Sequence, residues 1–495
     1  METYIKYNRK PYIIFMLSLL VIGFTSCDLD VESESEVDSE VFYRDAEEVN
    51  LALISAYNSL RDVMDVEFSV TEIRSDNTFL SPDSSVENDV DNFTLDRGTM
   101  VSSNLTNEQY YRVCYSTIGL ANDVIENVGN VEDLDLRNQY EAEARFLRAH
   151  CYFNLVRLYG AVIYVDGSLL GDDALLLERS PEAFVYQKIK EDLIYARENL
   201  PSEYGEDEVG RITQYAAKGI LGKVYLTLGE YPLAITEFQD IIDSGRFGLV
   251  PNYADIFSTN NENNEEVIFA VQYISGNLGL GSPFANYFAP GATAELLGII
   301  GDGDELNIPT SGIVDAYEDG DPRKEASLAE SYTDSQGNEI FFNYITKYFT
   351  PVDNEFDSDK DWIILRYADI KLLLAEAYLE QGRKDEAVTL INEIRTRAGL
   401  ANLTATDIAS TFSTKLALER ERRVEFAFEN HRFFDLVRTG RALTVINQNF
   451  ISEFIYNDPN NPQKAAAPIS DYQLKLPIPQ REIDINPNLA QNIGY

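Results

Sequence analysis

The stretch Glu421 to Arg438, ERRVEFAFENHRFFDLVR, is the most informative part of the sequence for the fold. It mixes opposite charges with aromatic rings, and its spacing predicts one helix over Leu418 to Arg441. Opposite charges three or four residues apart lie on neighbouring helical turns and can pair. We therefore expect ion pairs that lock this helix onto its neighbours, a structural role carried by Glu421, Arg423, Glu425, Arg432, Asp435 and Arg438.

Two further stretches resemble each other. Lys223 to Ile242 reads KVYLTLGEYPLAITEFQDII and Glu376 to Arg395 reads EAYLEQGRKDEAVTLINEIR. Each places Tyr and Leu before a Gly and an Ala five residues after it, which resembles the tetratricopeptide repeat. The Gly ends one helix and the small Ala lets two helices approach. The copies start 153 residues apart (376 minus 223), which argues against one continuous solenoid.

Most of the chain from residue 45 has helical periodicity. Ser180 is predicted to cap a helix whose first residue is Pro181. Cys114 and Cys151 fall on two such helices, and both a disulfide and free thiols stay open. Free thiols are favoured because helix axes pack about 8–10 Å apart. The predicted helices are 50–64, 107–128, 137–159, 181–200, 212–228 and 232–244.

These patterns predict a mainly α protein with a tetratricopeptide-like body of helical pairs. The expected divisions are an N-terminal helical part (45–245), a loop-rich insertion (246–364) and a C-terminal helical part with a tail (365–495). Within the insertion, Glu266–Tyr273 and Phe341–Phe349 are predicted short strands. After Glu453 the tail is rich in Pro and Asn, and apolar residues of 474–479 are expected to anchor it on the body.

The N-terminus carries an export signal. Basic residues precede an apolar run of 13–24 that is too short to span a bilayer, so residues 1–26 are predicted to be a signal peptide. The sequence before Cys27 resembles a bacterial lipoprotein signal, which makes Cys27 the predicted lipidation site. Residues 27–44 are an acidic tether and resemble a surface-export signal of Bacteroidetes lipoproteins. The expected location is the cell outer membrane, lipid-anchored and surface-exposed.

Taken together, the motifs resemble the SusD/RagB family of surface nutrient-binding lipoproteins. The match runs from the lipoprotein signal to the last residue and departs from the family at Asn430, where Gly is common, and at Ile493, where Pro is usual. The matching elements are EARFLRAHCYFNLVRLY (143–159), RYADIKLLLAEAY (366–378), RTRAG (395–399), the 421–438 stretch, LPIP (476–479) and QNIGY (491–495).

The resemblance implies four tetratricopeptide-like helix pairs with a ligand face built by loops and short strands. It also implies capture of an oligosaccharide and delivery to a SusC-like TonB-dependent transporter, with no catalysis and no cofactor. The alternatives are a peptide-binding member of the family and, from another class, a glycan-degrading enzyme. Enzymes of that class need only two carboxylates, so 83 Asp and Glu neither support nor exclude one.

Sugar capture needs aromatic rings for stacking and polar groups for hydroxyls. With one Trp against 30 Tyr and 26 Phe, Tyr and Phe are expected to supply the rings, and Trp362 is expected to pack in the core. Two loops combine these residue types, 71–80 and 273–288. The candidate ligand-binding residues are Arg74, Asp76, Asn77, Phe79, Tyr273, Asn277, Tyr287 and Phe288.

The net charge of −43 argues against nucleic-acid binding, because no basic stripe offsets it. It also favours a neutral glycan over a polyuronate. Alternating acids from Asp353 to Asp361 invite a calcium site, but Ser358 and Ile364 stand where an EF-hand needs Gly and Glu. With two isolated His, no metal site and no catalytic triad is predicted.

Overall fold

The computed structural model describes residues 43–80, 90–167, 175–291, 296–452 and 468–495. The predicted signal peptide, Cys27 and the tether as far as residue 42 lie outside the described residues. From Asp45 to Tyr495 the chain forms one compact unit. The division of this unit at residues 245 and 364 stays a prediction.

The described chain is mainly α-helical, as predicted. Its helices are α1 (Ala46–Val70), α2 (Val90–Asp96), α3 (Leu105–Asn127), α4 (Leu134–Tyr159), α5 (Glu182–Asn199), α6 (Gln214–Thr227), α7 (Tyr231–Asp243), α8 (Phe284–Phe288), α9 (Ser311–Val314), α10 (Arg323–Ser327), α11 (Tyr367–Glu380), α12 (Lys384–Arg397), α13 (Thr411–Glu425), α14 (Arg432–Arg438), α15 (Ala442–Phe450) and α16 (Gln480–Ile485).

The long helices form one stack. Helix α1 packs on α3, α3 on α4, α4 on α5, α5 on α6 and α6 on α7. Helix α11 then packs on α7, and α12 on α11. The two repeat-like pairs, α6–α7 and α11–α12, are therefore neighbours in space although the insertion separates them in the sequence.

In both repeats the Gly allows the chain to reverse and the Ala allows close helix packing, as the motif predicts. Gly229 and Gly382 have φ of +72° and +73°, a conformation in which a side chain is strained. Each reverses the chain between the two helices of its pair. Ala234 and Ala387 are fully buried, so the helices of each pair meet closely.

The predicted start of α5 was wrong by one residue, because the helix begins at Glu182 and not at Pro181. Pro181, not Ser180, occupies the position before the first helical residue, and no side chain caps this end. Ser180 instead forms a β-bridge, in which its N–H donates to the carbonyl of Val162 at 2.8 Å. Ser180 therefore bonds to the backbone of Val162 and does not cap α5.

The prediction of one helix over Leu418 to Arg441 was also wrong. Helix α13 ends at Glu425 and α14 begins at Arg432. Between them Phe428 and Asn430 adopt φ of +69° and +62°, which turns the chain and places the Phe428 ring in the core. Asn tolerates this left-handed conformation better than most residues, which explains its presence there.

Within the described residues, six short strands pair antiparallel in three two-stranded sheets. The predicted strand 266–273 is confirmed as a shorter one, and the predicted strand 341–349 is shifted towards the N-terminus. The pairs are β1 (Thr78–Phe79) with β3 (Ile308–Pro309), β2 (Val267–Val271) with β6 (Trp362–Arg366), and β4 (Leu328–Thr333) with β5 (Glu339–Ile345).

Trp362 packs in the core, as predicted. It is 1% exposed, its ring stacks on Tyr348 with centroids 4.7 Å apart, and the Phe284 ring lies 4.4 Å away. Its indole is therefore not a stacking platform for ligand.

The charged stretch 421–438 forms buried ion pairs, which confirms its structural role. Glu425 pairs with Arg366 at 2.6 Å and with Arg323 at 2.8 Å, and also contacts Arg397. The other predicted residues pair as follows: Glu421 with Arg323 and Arg395, Arg423 and Arg432 with Asp76, Asp435 with Arg422 and Arg438, and Arg438 with Glu376.

The tail lies on the body as predicted. Leu476 and Ile478 are fully buried, and the Leu476 N–H donates to the carbonyl of Leu158 at 2.7 Å. Cys114 and Cys151 are buried free thiols. Burial and the neighbouring Cys151 thiol raise the pKa of Cys114. Within the described ranges no helix combines the length and the apolar character that crossing a membrane requires.

Candidate functional site

The insertion builds, together with β1, a small β surface beside the helical stack. Strands β1 and β3 pair so that Phe79 lies opposite Ile308. The Asn343 side-chain amide on β5 donates to the carbonyl of Pro309 on β3 at 3.2 Å. This bond brings the β4–β5 hairpin against the β1–β3 pair. We give the name ribbon surface to three residues of these strands, namely Phe79 on β1 and Phe341 and Asn343 on β5.

Phe341 is the most exposed ring of the ribbon surface, with 80% of its area open to solvent. Its neighbours on the hairpin pack against one another: Tyr344 stacks on Phe349 at 5.6 Å, and Tyr332 meets Tyr344 edge-on at 6.3 Å. A single exposed ring is common on protein surfaces, so Phe341 is a candidate contact residue only together with the polar group beside it on the strand.

A second exposed segment, 273–281, is held by the acidic run that follows residue 353. The Tyr273 N–H donates to Asp361 at 2.8 Å and the Ser275 N–H donates to Asp359 at 2.7 Å. Asp357 accepts from the next two backbone N–H groups, those of Gly276 at 2.9 Å and Asn277 at 2.7 Å. We call these three carboxylates the carboxylate ladder. The alternation of acids thus serves to shape a loop, while Asp353 and Glu355 are exposed.

Three carboxyl groups near this loop or near the acidic run have raised pKa values. Burial, with a smaller contribution from Asp62, raises the pKa of Asp65 to about 7, although the Tyr273 hydroxyl donates to it. Burial likewise raises the pKa of Asp361 to about 7. Burial and the nearby Glu355 and Asp302 raise the pKa of Asp304 to about 6. Near neutral pH these three groups together therefore carry less negative charge than three ordinary carboxylates would.

Three of the candidate residues in 71–80 are buried and paired. Arg74 donates to the carbonyls of Val70 and Gln473, at 3.1 and 2.8 Å. The Asp76 carboxylate accepts two bonds from Arg432, at 2.7 and 3.0 Å. Asn77 donates to Glu72 at 2.9 Å. These groups join the loop to α14 and the tail, so their chemistry is spent on the fold.

The electrostatics of Asp76 support this role. Burial alone would raise the pKa of its carboxyl, but Arg432 and Arg423 outweigh burial and hold it below its ordinary value. The group is therefore an anion with two permanent cationic partners. Asp76 is also only 4% exposed, so a sugar hydroxyl does not reach it.

Two candidates of the second loop are also core residues. Tyr273 is 5% exposed and Phe288 is 2% exposed. Their rings meet Phe284, at 6.1 and 5.7 Å. They support the loop from beneath, and burial raises the pKa of Tyr273 well above its ordinary value.

Three of the candidate ligand-binding residues are accessible from the solvent. Phe79 and Tyr287 are half-buried, and Asn277 is exposed. Tyr287 lies 5.7 Å from the partly exposed ring of Phe356. Asn277 lies in the segment shaped by the carboxylate ladder, Tyr287 lies against Phe356 next to the ladder, and Phe79 lies on the ribbon surface. Their contact with ligand stays a prediction.

Sequence reasoning missed Phe341, Asn343 and Phe356. The signal for Phe341 was present, because it lies in a predicted strand where alternate residues face solvent. Among the residues that the structure describes, no group of three or more His, Cys, Asp and Glu is arranged to hold a metal ion.

Two protein-family profiles match parts of this chain. The profile described as "SusD family" matches residues 341–495, and the profile described as "Starch-binding associating with outer membrane" matches residues 29–226. The chain is similar to SusD-like protein P25 of Formosa agariphila, with 26% identity covering 97% of this chain and 99% of that protein.

Two further likenesses concern proteins whose names state a ligand. Starch-binding protein SusD of Bacteroides thetaiotaomicron is 24% identical, over 80% of this chain and 79% of that one. A solved structure named laminarin binding SusD-like protein superposes with a TM-score of 0.76 at 23% identity, over 91% of this chain and 99% of that chain. The shared fold is thus the mainly helical one predicted from the sequence.

Proposed function

We propose, from the premise that this chain belongs to the SusD/RagB family, that it captures an oligosaccharide at the cell surface and delivers it to a TonB-dependent transporter. Lipidation at Cys27, surface exposure on the outer membrane and a SusC-like partner are parts of this proposal. Binding without catalysis is also part of it.

The observation that carries the proposal is the ribbon surface. Phe341 offers an open ring for stacking on the C–H face of a sugar, and the Asn343 amide lies two residues away on the same strand. An amide both donates and accepts, which suits hydroxyl groups. Phe79 adds a half-buried ring from β1.

We infer that the ligand is a neutral glycan. The net charge of −43 repels polyanions at long range. At short range, Asp304 and Glu355 are near neighbours. The pKa of Asp304 is raised by burial, Glu355 and Asp302, with no cation among the causes. An anionic sugar would add charge to this carboxylate pair.

The test is calorimetric titration of the full chain with maltoheptaose, laminarihexaose and polygalacturonate. Phe341→Ala should weaken binding of a neutral oligosaccharide about tenfold, because it removes a stacking ring without touching the core. The matched control is Phe184→Ala, which removes a partly exposed ring from α5. Equal affinity of the Phe341→Ala variant and the parent chain would rule out the ribbon surface.

A specific observation keeps a peptide ligand as the second candidate. Ile274 and Leu278 are 50% and 63% exposed on the segment that the carboxylate ladder shapes. Aliphatic side chains suit peptide side chains better than sugar rings. Binding of oligopeptides without binding of glycans, abolished by Leu278→Ala, would favour this candidate.

Catalysis is tested by incubating the same oligosaccharides with pure protein and separating the products by chromatography. We expect the oligosaccharides to stay intact. Delivery is tested by co-purification of the transporter with the tagged full chain from outer membranes.

A further inference from the structure

A cleft of about 420 Å³ opens on the helical body, between α11, α13, α14 and the start of α7. None of the candidate residues from the two loops lines it. Its volume lies within the range of small-ligand sites, about 300–1,000 Å³. Neither the ribbon surface nor the segment 273–281 contributes to it.

Two aromatic rings border this cleft. Phe412, in the first turn of α13, is 65% exposed, and among the described residues it makes no ring contact. Helix α13 does not need it at that position, because Ser410 caps the helix through a reciprocal pair of bonds with Ser413. Tyr231 is half-buried at the start of α7, and its hydroxyl has no partner in the described part of the chain.

Ion pairs form the floor. Arg438 donates two bonds to Glu376, at 2.8 and 2.6 Å, and a third to Asp435 at 2.9 Å. Arg441 donates to Glu419 at 3.0 Å. The salt bridges fix these side chains, so little conformational entropy remains to be lost when a ligand binds.

The charge pattern identifies the ligand class. Each acidic group of the cleft already pairs with a basic group of the cleft, including Lys415 with Glu380. An anion or a cation would therefore meet a like charge next to each opposite one. A hydroxyl group has no such conflict, because it donates to the carboxylate and accepts from the guanidinium of one pair.

We propose that this cleft is a second saccharide site that holds one or two units of a neutral glycan between Phe412 and Tyr231. The ion pairs Arg438–Glu376 and Arg441–Glu419 bind its hydroxyl groups. The proposal does not depend on ligand binding at the ribbon surface, because the two sites share no residue.

The experiment is titration of the full chain with maltoheptaose and laminarihexaose, combined with hydrogen exchange. We expect Phe412→Ala to weaken one class of binding sites at least tenfold. Tyr231→Phe should weaken it less, since the ring is kept and only the hydroxyl is lost. Glycan should protect amides of 411–420 in the parent chain and not in Phe412→Ala.

Phe184→Ala is the control for loss of an exposed ring, and Phe341→Ala separates the two sites. If Phe341→Ala abolishes all binding while Phe412→Ala matches the parent chain, the cleft is not a saccharide site. If neither oligosaccharide protects 411–420, or if only peptides do so, the proposal is wrong whatever happens at the ribbon surface.

Discussion

Single buried charges decide much of this structure at the scale of the residue. Arg366 and Arg323 are fully buried, and each is satisfied by more than one carboxylate. Glu425 is common to both sets. Charges can be buried this deeply only when they are paired, since desolvation costs several kcal/mol per ion.

Glu425→Gln should destabilise the fold by about 3–5 kcal/mol, because an amide leaves three guanidinium groups short of one negative charge. The measurement is the free energy of unfolding in urea. The control is Glu386→Gln, which removes an exposed partner of Arg383 and should cost less than about 1 kcal/mol. Equal losses in the two variants would contradict the assigned role of Glu425.

Glu72 makes stability depend on pH. Burial raises its pKa to about 7, although Asn77 and the Phe428 N–H donate to it. Between about pH 4.5 and 7 the unfolded chain loses this proton while the folded chain keeps it, so stability falls as pH rises. The full loss is about 3 kcal/mol.

The side chain in Glu72→Gln is neutral at every pH, so this variant should lack the fall in stability that Glu72 causes between about pH 4.5 and 7. Its stability relative to the parent chain should therefore improve from pH 4.5 to 7 and then level off. Urea unfolding at several pH values measures this. Glu47→Gln, at the exposed start of α1, serves as control, and curves for Glu72→Gln that run parallel to the parent would disprove the assignment.

At this scale the sequence predicted the ion pairs, but of the three residues of the ribbon surface it predicted only Phe79. Arg74, Asp76 and Asn77 have the chemistry to bind sugar hydroxyls and equally the chemistry to pair with Arg432 or Glu72. Which of the two occurs depends on burial, a tertiary property that composition does not contain. Phe341 is informative only once its strand and its exposure are known.

Local turns connect the helical elements, and these were predictable where the motif names the residue. Gly382→Ala should destabilise the fold by about 1–2 kcal/mol, because φ of +73° strains any side chain although nothing lies within 4 Å. Gly119→Ala, inside α3 and also without close neighbours, should stabilise it by about 0.5–1 kcal/mol. Thermal unfolding of the pair gives opposite signs, and equal signs would contradict the turn assignment.

The break between α13 and α14 was not predictable from periodicity. The charges and rings of 421–438 fit one helix, and only the burial of Phe428 and Glu429 shows why the chain must turn. The long helices of the stack were easier, since their apolar periodicity is continuous, although the predicted cap of α5 at Ser180 was wrong.

The carboxylate ladder is the element that shapes the segment 273–281. The N–H groups of Asn277 and Gly276 hold the pKa of Asp357 below its ordinary value. Asp357→Ala removes the acceptor of both groups, so their hydrogen exchange should accelerate about tenfold or more. Asp353→Ala removes an exposed acid of the same run and should leave both amides unchanged; unchanged exchange in Asp357→Ala would show that the bonds do not hold the loop.

For the whole molecule, the excess of acids opposes folding. The buried pairs are neutral as groups, so the net charge of −43 resides mainly on the surface, where like charges repel over distances that salt shortens. Raising NaCl from 10 to 150 mM should therefore raise the melting temperature. Glu425→Gln should respond to salt like the parent chain, because ions screen a buried cluster poorly. A melting temperature that falls with salt would mean that surface ion pairs outweigh surface repulsion.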